Sequence, residues 1–344
     1  MNYKLLGNSG LRVAEICLGT MTFGENWGWG ASKDESRAIF DCYVQAGGNF
    51  IDTADGYTDG ASEKMVGEFV AGQRERFVVA TKYSFNTRPG DPNAGGNHRK
   101  NMVQALEGSL KRLGTDYVDL YWVHAWDSLT PTEEVMRALD DLVRAGKILY
   151  AGISDAPAWI VSQANTLATL RGWTPYVGLQ IEYSLIERTP ERDLLPMAKA
   201  LDIGVTAWSP LASGLLSGKY TKDSGQTEEK RLDKANFTKL DERNLSIARA
   251  VQKVADDMGR SPAQVAINWV RQRYNAIPII GARKLSQAKD NLAALEFTLP
   301  DDVMARLDEA SKIELGFPHE FLTRPTVSDF LHGGTLGRTH NHRA

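Results

Sequence analysis

Eight short apolar runs, separated by stretches with helical patterning, constrain the fold of this chain more than any other feature of its sequence. The runs do not alternate between apolar and polar residues, which is typical of parallel strands buried on both faces. Eight strands alternating with helices over roughly 280 residues fit an α/β fold of the (β/α)8 TIM barrel type, which takes about 250 residues. The runs are Glu15–Leu18, Asn49–Asp52, Phe77–Thr81, Val118–Val123, Ile148–Ile153, Val177–Ile181, Ile203–Trp208 and Ala276–Ile280.

Three sequence motifs between these runs predict the starts of helices. Ser32-x-x-Glu35 predicts a capping box, in which each residue satisfies a backbone N–H near the other. Thr130-Pro131-Thr132-Glu133 predicts a second box with proline at the first helical position. Ser261-Pro262-Ala263-Gln264 opens a third helix in the same way.

The remaining segments complete a single-domain prediction over residues 1–330. Residues 3–13 read as a β-hairpin, which we expect to close the barrel bottom. Residues 217–243 form a long polar connection, typical of a functional or disordered segment, and residues 331–344 read as a disordered tail. A doubly wound sheet is the alternative, but no Gly-x-Gly-x-x-Gly follows the first strand, as such a sheet would usually show.

Composition excludes several classes of partner. A formal net charge of -3 does not provide the positive electrostatic potential that attracts nucleic acid or an acidic membrane surface. No apolar run approaches the ~18 residues of a membrane helix, and residues 1–4 lack the apolar core of a signal peptide. Cys17 and Cys42 read as small buried hydrophobes in a reducing compartment, so we expect the cytoplasm and no metal site. The sequence does not indicate an oligomeric state.

Polar residues at the ends of the predicted strands are the candidates for chemistry. Asp52 ends the second strand and Tyr57 lies on its loop, while Lys82 and His124 follow the third and fourth strands. In a barrel these ends meet around one mouth. Each residue alone is more typical of a solvated strand end or a core position, but the four together favour a catalytic group. Later strand ends add Ser154, Asp155, Gln180, Trp208 and Ser209.

These four residue types suit the reduction of a carbonyl group. When a hydride reaches the carbonyl carbon, the oxygen becomes an alkoxide that must be protonated. A Tyr57 phenol can donate that proton, and we expect the Lys82 ammonium to lower its pKa from the usual value of about 10. Asp52 would keep Lys82 charged and in place. His124 would hydrogen-bond the carbonyl oxygen, and the hydride must come from a cofactor.

The motifs that carry these residues resemble, in chain order, those of the aldo-keto reductase family. They run from the hairpin to about residue 295, and the combined pattern is specific although each piece is weak. The pieces are Phe50-Ile51-Asp52-Thr53-Ala54-x-x-Tyr57 with Ser62-Glu63, Ala80-Thr81-Lys82, Asp119-Leu120-Tyr121-x-x-His124, Gly152-Ile153-Ser154, Gln180-x-Glu182-Tyr183 and Trp208-Ser209-Pro210-Leu211. The resemblance implies a barrel that binds NADP(H) across its mouth, with Tyr57 as proton donor and Asp52, Lys82 and His124 in support.

The resemblance also implies a cofactor site. Arg283 offers bidentate charge for a 2′-phosphate, which favours NADPH over NADH, although a solvated helix start is the alternative role. The family often has Asn where this chain has Asp155, which accepts hydrogen bonds but does not donate them. The implied cofactor-binding residues are Ser154, Asp155, Gln180, Trp208, Ser209, Leu211, Ser213, Gly214, Leu215, Lys219, Gly281, Arg283, Gln287 and Asn291.

The substrate is expected to be a small carbonyl compound or alcohol. Candidate pocket walls are aromatic, which suits a substrate with ring or apolar character. They are Trp27, Trp29, Tyr83 and Trp126. Two other functions stay open at this stage, namely a cofactor-sensing regulatory subunit with little turnover and a barrel lyase that uses Lys82 as a Schiff-base amine.

Overall fold

Eight parallel strands close into a barrel in the computed structural model, which describes residues 1–220 and 239–341. The barrel order is β10-β3-β4-β5-β6-β7-β8-β9, and a separate antiparallel hairpin pairs β1 with β2. The predicted (β/α)8 barrel is confirmed. The alternative prediction of a doubly wound sheet is wrong, because such a sheet is open and this one closes. The strands are β1 (Tyr3–Leu5), β2 (Arg12–Ala14), β3 (Cys17–Gly19), β4 (Phe50–Asp52), β5 (Val78–Tyr83), β6 (Val118–Val123), β7 (Ile148–Ser154), β8 (Tyr176–Glu182), β9 (Gly204–Trp208) and β10 (Ile277–Ile280).

Helices connect the strands and pack around the barrel. In the described ranges they are α1 (Lys33–Gln45), α2 (Ala61–Val70), α3 (Arg99–Leu113), α4 (Thr132–Arg144), α5 (Ala158–Arg171), α6 (Leu194–Ala200), α7 (Glu242–Met258), α8 (Pro262–Gln272), α9 (Leu285–Leu292), α10 (Asp301–Ala310), α11 (His319–Leu322) and α12 (Pro325–His332). None of these helices is long and apolar enough to cross a bilayer. Most of the predicted 217–243 connection lies outside the described residues. The disordered tail over 331–344 stays a prediction.

The N-terminal hairpin closes the bottom of the barrel, as predicted. Its turn presses against the N-terminal ends of β8 and β9. A Cβ on Gly7, which has φ +53°, would lie 2.4 Å from the Val177 carbonyl oxygen and 2.6 Å from the Gly204 nitrogen. The Asn8 N–H donates to the Asp202 carbonyl at 2.7 Å. This close approach requires glycine at the turn.

The interior of the barrel is filled beneath its mouth by one large indole. Trp122 has no exposed surface, and its ring occupies the space that side chains at Gly152 and Gly178 would need. Lys82 and Gly152 are the register partners of Trp122 on the two neighbouring strands. Residues two positions further along each strand point the same way. His124 lies two positions after Trp122, and Ser154 and Gln180 lie two positions after Gly152 and Gly178. These three side chains therefore face the mouth.

The three predicted helix caps have different outcomes. The box at Ser261 is confirmed, since its hydroxyl and the Gln264 side chain both bond the opposite backbone N–H. The box at Thr130 is wrong, because that hydroxyl donates to Asp127 at 2.7 Å and α4 begins only at Thr132. The box at Ser32 is half formed: its hydroxyl accepts from the Glu35 N–H at 3.3 Å. The Glu35 carboxylate is engaged elsewhere, as described below.

Two buried carboxyl groups lie behind the loop that follows β4. Glu63 accepts hydrogen bonds from Thr81 Oγ1 and Arg112 Nε, each at 2.5 Å. Asp55 is 5% exposed, and its Oδ1 has no hydrogen-bond partner among the described residues. Burial, and then the charge of Glu63, raise the pKa of Asp55 to about 7 against the opposing effect of Arg112. The folded chain therefore favours the protonated form of this acid.

We predict that Asp55→Asn removes a pH-dependent loss of stability. The pKa of Asp55 is raised on folding, so its contribution to stability falls as pH rises from about 4 to about 7 and then levels off. At about 1.4 kcal/mol per pKa unit, the loss is up to about 4 kcal/mol. Denaturant unfolding at pH 5 and pH 8 covers the upper part of this window, where the loss is about 2.5 kcal/mol. Asp55→Asn should lose less stability between the two pH values than wild type or the exposed control Asp116→Asn. Glu182, whose pKa burial also raises to about 7, leaves part of the pH dependence in all three proteins. Identical pH dependence in all three proteins would contradict the assignment.

Candidate active site

The ammonium group of Lys82 is the centre of the polar cluster at the mouth. It has no exposed surface and donates to the Asp52 carboxylate, to the Thr53 carbonyl at 3.0 Å and to the Tyr57 hydroxyl oxygen at 2.9 Å. An ammonium group has three N–H donors, so this set satisfies all of them. The register of β4 with β5 pairs Asp52 with Ala80 and sets Lys82 two residues beyond that pair.

The surroundings keep Lys82 charged. Burial alone lowers the pKa of an ammonium group, because it penalises the charged form. Here the charge of Asp52, then that of Tyr57, and the hydrogen bonds to both groups outweigh burial and raise the pKa of Lys82 above its ordinary value. Asp52 is itself held on its other side, where its Oδ1 accepts from Gln180 Nε2 at 3.0 Å. The Nε2 of Gln180 is thus engaged by the Asp52 carboxylate.

Tyr57 reaches the ammonium group from a strained turn. Thr58 and Asp59 have φ values of +45° and +55°, a left-handed backbone that non-glycine residues seldom adopt. The Thr58 hydroxyl donates to the Phe23 carbonyl at 2.7 Å, which ties the turn to the loop after β3. Because Lys82 donates to the phenol oxygen, the phenolic proton of Tyr57 is left to bond another acceptor. Strain of this kind concentrates at functional sites.

The net pKa of Tyr57 differs from the sequence expectation. The sequence predicts a lowered value because of the neighbouring ammonium group. Burial raises the pKa of the phenol, Lys82 lowers it and Asp52 raises it again, and the balance lies above the ordinary value of 10.0. The lysine acts in the predicted direction but does not overcome burial. The phenol is therefore protonated at neutral pH.

His124 packs directly beside Tyr57 as a neutral imidazole. The two ring centroids are 5.9 Å apart, with the rings edge to face. Burial, and then the nearby Lys82 charge, hold the pKa of His124 well below its usual range. Its Nδ1 has no partner among the described residues. Phe85, whose ring centroid is 4.2 Å from that of His124, completes this wall. Sequence reasoning missed Phe85, because it follows the strand without any periodic signal.

The predicted residues at the ends of β7 and β9 meet at the part of the mouth next to the end of β6. Ser154 is 1% exposed, and its hydroxyl neighbours the Asp155 carboxylate. Burial raises the pKa of Asp155, and the Trp208 indole N–H and the Ser154 hydroxyl both act against that rise. Asp155 has a left-handed backbone, with φ +45°, and accepts from Trp208 Nε1 at 3.1 Å. This bond holds the indole of Trp208 beside the end of β7. The side chain of Trp208 stays half-buried.

The loop after β9 carries an unusual run of positive φ angles. Ser209, Ala212, Ser213 and Gly214 have values of +55°, +46°, +55° and +96°. The N–H groups of Ala212 and Ser213 are bonded to the Ser209 carbonyl at 2.8 Å and to the Ser209 hydroxyl at 3.1 Å. The Gly214 N–H bonds the Leu211 carbonyl at 2.9 Å, so these three groups hold the loop in its own tight turn. Of the other predicted residues in this segment, Leu215 is buried in the core, Leu211 and Gly214 are half-buried, and Lys219 is exposed.

The segment after β10 is braced by its own amide side chains. The Gln287 side chain accepts from the Arg283 N–H at 2.9 Å, and Asn291 Nδ2 donates to the Gly281 carbonyl at 3.4 Å. Gly281 is exposed at the strand end, and Arg283 is half-buried. The two amides therefore shape the turn that leads into α9.

The four predicted pocket residues do not share one environment. Trp27 and Trp29 lie together on the loop after β3, with ring centroids 5.6 Å apart. Trp126 is half-buried and meets the exposed Trp159 edge to face at 5.7 Å. Tyr83 is fully buried and stacks on Tyr121, with its hydroxyl on the Asn97 carbonyl at 3.1 Å. Tyr83 follows Lys82 directly, so its side chain points to the opposite face of the strand. That position does not suit its predicted role in a substrate pocket.

Similarity to known proteins agrees with this geometry. A model of the aldo/keto reductase family matches residues 15–312. The chain is 35% identical over 339 residues to a norsolorinic acid reductase of Aspergillus flavus, which covers 95% of this chain and 85% of that protein. It is 36% identical over 339 residues to an aryl-alcohol dehydrogenase (NADP(+)) of Phanerodontia chrysosporium, with 92% and 87% covered. A putative aryl-alcohol dehydrogenase of Saccharomyces cerevisiae is 32% identical over 331 residues, with 91% and 87% covered. The chain therefore belongs to the aldo/keto reductase family.

Proposed function

We propose that the protein catalyses the reversible, NADP(H)-dependent reduction of an aromatic aldehyde or ketone, with Tyr57 as proton donor. One observation carries the proposal. The buried Lys82 ammonium donates to the Tyr57 hydroxyl oxygen at 2.9 Å while Asp52 holds the ammonium from its other side. A proton donor so arranged suits a reaction in which negative charge develops on a substrate oxygen.

Each residue of the cluster has one part in this chemistry. The protonated phenol of Tyr57 gives its proton to the carbonyl oxygen as the alcohol forms. Lys82 stabilises the phenolate left behind, and Asp52 keeps that lysine charged. The neutral His124 imidazole donates an N–H to the same carbonyl oxygen and orients it over the phenol. In the reverse direction the phenolate takes the proton from the alcohol.

The mouth offers groups that fit a nicotinamide cofactor. The buried hydroxyl of Ser154, which neighbours the Asp155 carboxylate, can also bond a carboxamide. Gln180 and Asp155 add polar atoms beside it, and Trp208 offers a flat surface for a ring. The loop from Ser209 to Gly214 would run beside the pyrophosphate, as the resemblance to the family implies. When bound, the cofactor supplies or accepts the hydride.

The preference for NADP(H) over NAD(H) rests on two supports. Arg283 opens the segment after β10 and carries a guanidinium that suits a 2′-phosphate. The aryl-alcohol dehydrogenase of Phanerodontia chrysosporium carries NADP(+) in its name. Gln287 and Asn291 then act mainly as braces of this turn, with the adenosine beside them.

The substrate class follows from the aromatic groups at the mouth. Phe85 is 52% exposed and Trp27 is 37% exposed, and both lie on loops at the C-terminal ends of the strands. Trp126 adds a third ring. These groups favour a flat, apolar substrate body. The name of the relative from Phanerodontia chrysosporium refers to an aryl alcohol, which is an aromatic compound, and this supports the same substrate class.

A Schiff-base lyase is disfavoured by the state of Lys82. A nucleophilic amine must lose its proton before it attacks a carbonyl group. The pKa of Lys82 is raised, and its three N–H groups are all engaged by acceptors. The exposed route that an attacking amine needs is also missing, since Lys82 has no accessible surface.

We predict turnover in a direct assay of both directions. Purified protein should oxidise NADPH with aromatic aldehydes and ketones, and should reduce NADP(+) with the matching aryl alcohols, followed at 340 nm. Aliphatic aldehydes of similar size serve as the control for substrate class. Binding of NADPH without turnover on any of these compounds would favour the cofactor-sensing subunit instead.

We predict that Tyr57→Phe lowers kcat by about 10²–10⁴-fold, the range expected for loss of a general acid. The Kd for NADPH, measured by quenching of tryptophan fluorescence, should change less than about threefold, since the ring is retained. Tyr150→Phe, near the N-terminal end of β7 and far from the mouth, is the matched control and should keep full activity. Full activity in Tyr57→Phe would exclude the proposed proton donor.

We predict that Arg283→Ala weakens NADPH binding by about tenfold or more while NADH binding changes little. A charge-assisted hydrogen bond contributes on the order of 1.5–3 kcal/mol, and only NADPH has the 2′-phosphate that receives it. Calorimetric titration of both nucleotides measures the difference. Equal weakening of the two would show that Arg283 supports the fold of the segment rather than the phosphate.

A further inference from the structure

The carboxylate of Glu35 is diverted from the cap that the sequence predicts for it. In a capping box the glutamate side chain returns to the N–H of its own N-cap residue. Here Ser32 accepts from the Glu35 N–H, but the Glu35 Oε1 accepts from the backbone N–H of Leu285. Leu285 is the first residue of α9, 250 positions further along the chain. A side chain from α1 therefore occupies the start of another helix.

The start of α9 is a favourable place for an anion. The first backbone N–H groups of a helix have no partner within the helix, and the helix dipole adds positive potential there. Phosphate groups bind at such positions for the same reasons. The helix follows directly after the Gly281–Arg283 segment, where the 2′-phosphate of the cofactor is proposed to lie. Glu35 is thus an anion of the protein itself at a place that suits the phosphate.

A carboxylate and a phosphate do not share one donor without cost. Glu35 bonds the Leu285 N–H only while that N–H is not given to a ligand. If the phosphate approaches, two like charges come close together in a half-buried setting, where screening by water is reduced. The adenosine ribose of NADH carries a 2′-hydroxyl where NADPH carries the 2′-phosphate. NADH therefore leaves the hydrogen bond between Glu35 and Leu285 in place.

We propose that Glu35 is a specificity-determining residue that competes with the 2′-phosphate for the N-terminus of α9. Its carboxylate weakens the binding of NADP(H) and does not affect the binding of NAD(H). The inference rests on the proposed NADP(H)-dependent function and adds a second residue to the one already assigned there. Arg283 attracts the phosphate, and Glu35 opposes it. The balance between them sets how tightly the cofactor is held and how fast it leaves.

The test is a set of equilibrium titrations that need no turnover. Wild type, Glu35→Gln and Glu35→Ala are titrated with NADPH and NADH, and also with the fragments 2′,5′-ADP and 5′-AMP. Glutamine keeps an acceptor for the Leu285 N–H and removes only the charge. We expect Glu35→Gln to lower the Kd of NADPH and of 2′,5′-ADP by about tenfold, or about 1.4 kcal/mol. The Kd of NADH and of 5′-AMP should stay within about twofold of wild type.

A matched control separates local from general charge effects. Asp34 lies in the same first turn of α1 and is exposed, so Asp34→Asn removes a like charge next to the one of interest. It should change the Kd of NADPH by less than about twofold. Thermal unfolding of each variant verifies that α9 stays folded, and stopped-flow release should show slower NADPH dissociation from Glu35→Gln.

Three results would overturn the inference. They are an unchanged or higher Kd for NADPH in both Glu35 variants, an equal gain for NADH, or an equal gain in Asp34→Asn. A wild-type protein that binds neither nucleotide would instead overturn the proposed function, and the role of Glu35 with it. The two failures are distinguishable, because the first needs tight wild-type binding and the second excludes it.

Discussion

The buried ion pair between Lys82 and Asp52 is the constraint on which the rest of the site depends. A charged ammonium group without accessible surface is strongly destabilising unless its charge and its three donors are all satisfied. The carboxylate, the Thr53 carbonyl and the Tyr57 hydroxyl provide that set. Removing any one of them would leave a buried donor unpaired. The same requirement that stabilises the lysine therefore fixes the position of the phenol.

The barrel makes this arrangement possible through its register. Parallel strands bring their C-terminal ends to one rim, and residues two apart on a strand point the same way. Asp52 on β4 accepts from Gln180 on β8, which lies across the barrel in the strand order. This hydrogen bond ties the Asp52 carboxylate to a second strand on the other side of the barrel. Beneath it, the Trp122 indole excludes water from the interior, which strengthens each polar contact above.

Sequence reasoning succeeded where the signal was local or periodic. Eight apolar runs predicted eight barrel strands, and the polar residues at their ends predicted the group around Lys82. It failed where two patterns competed for one side chain. Thr130 is a good N-cap in sequence but bonds Asp127, and Glu35 completes a box in sequence but bonds Leu285. The sequence predicts Tyr83 in the substrate pocket, but adjacent residues on a strand point to opposite faces. Lys82 faces the mouth, so Tyr83 faces away from it. Leu285 lies 250 positions from Glu35, a distance that no spacing rule covers, whereas Asp127 is only three residues before Thr130 and competes locally for its hydroxyl.

Asp155 illustrates how the structure explains a departure from the family pattern. The position requires a residue that tolerates φ +45°, and aspartate and asparagine do so more readily than other side chains. It also requires an acceptor for the Trp208 indole N–H, which a carboxylate oxygen provides at 3.1 Å. Both needs are met without an amide donor. Aspartate in place of asparagine therefore preserves the backbone conformation and the contact with the indole. The difference between the two residues is the charge that aspartate can bring to this side of the mouth.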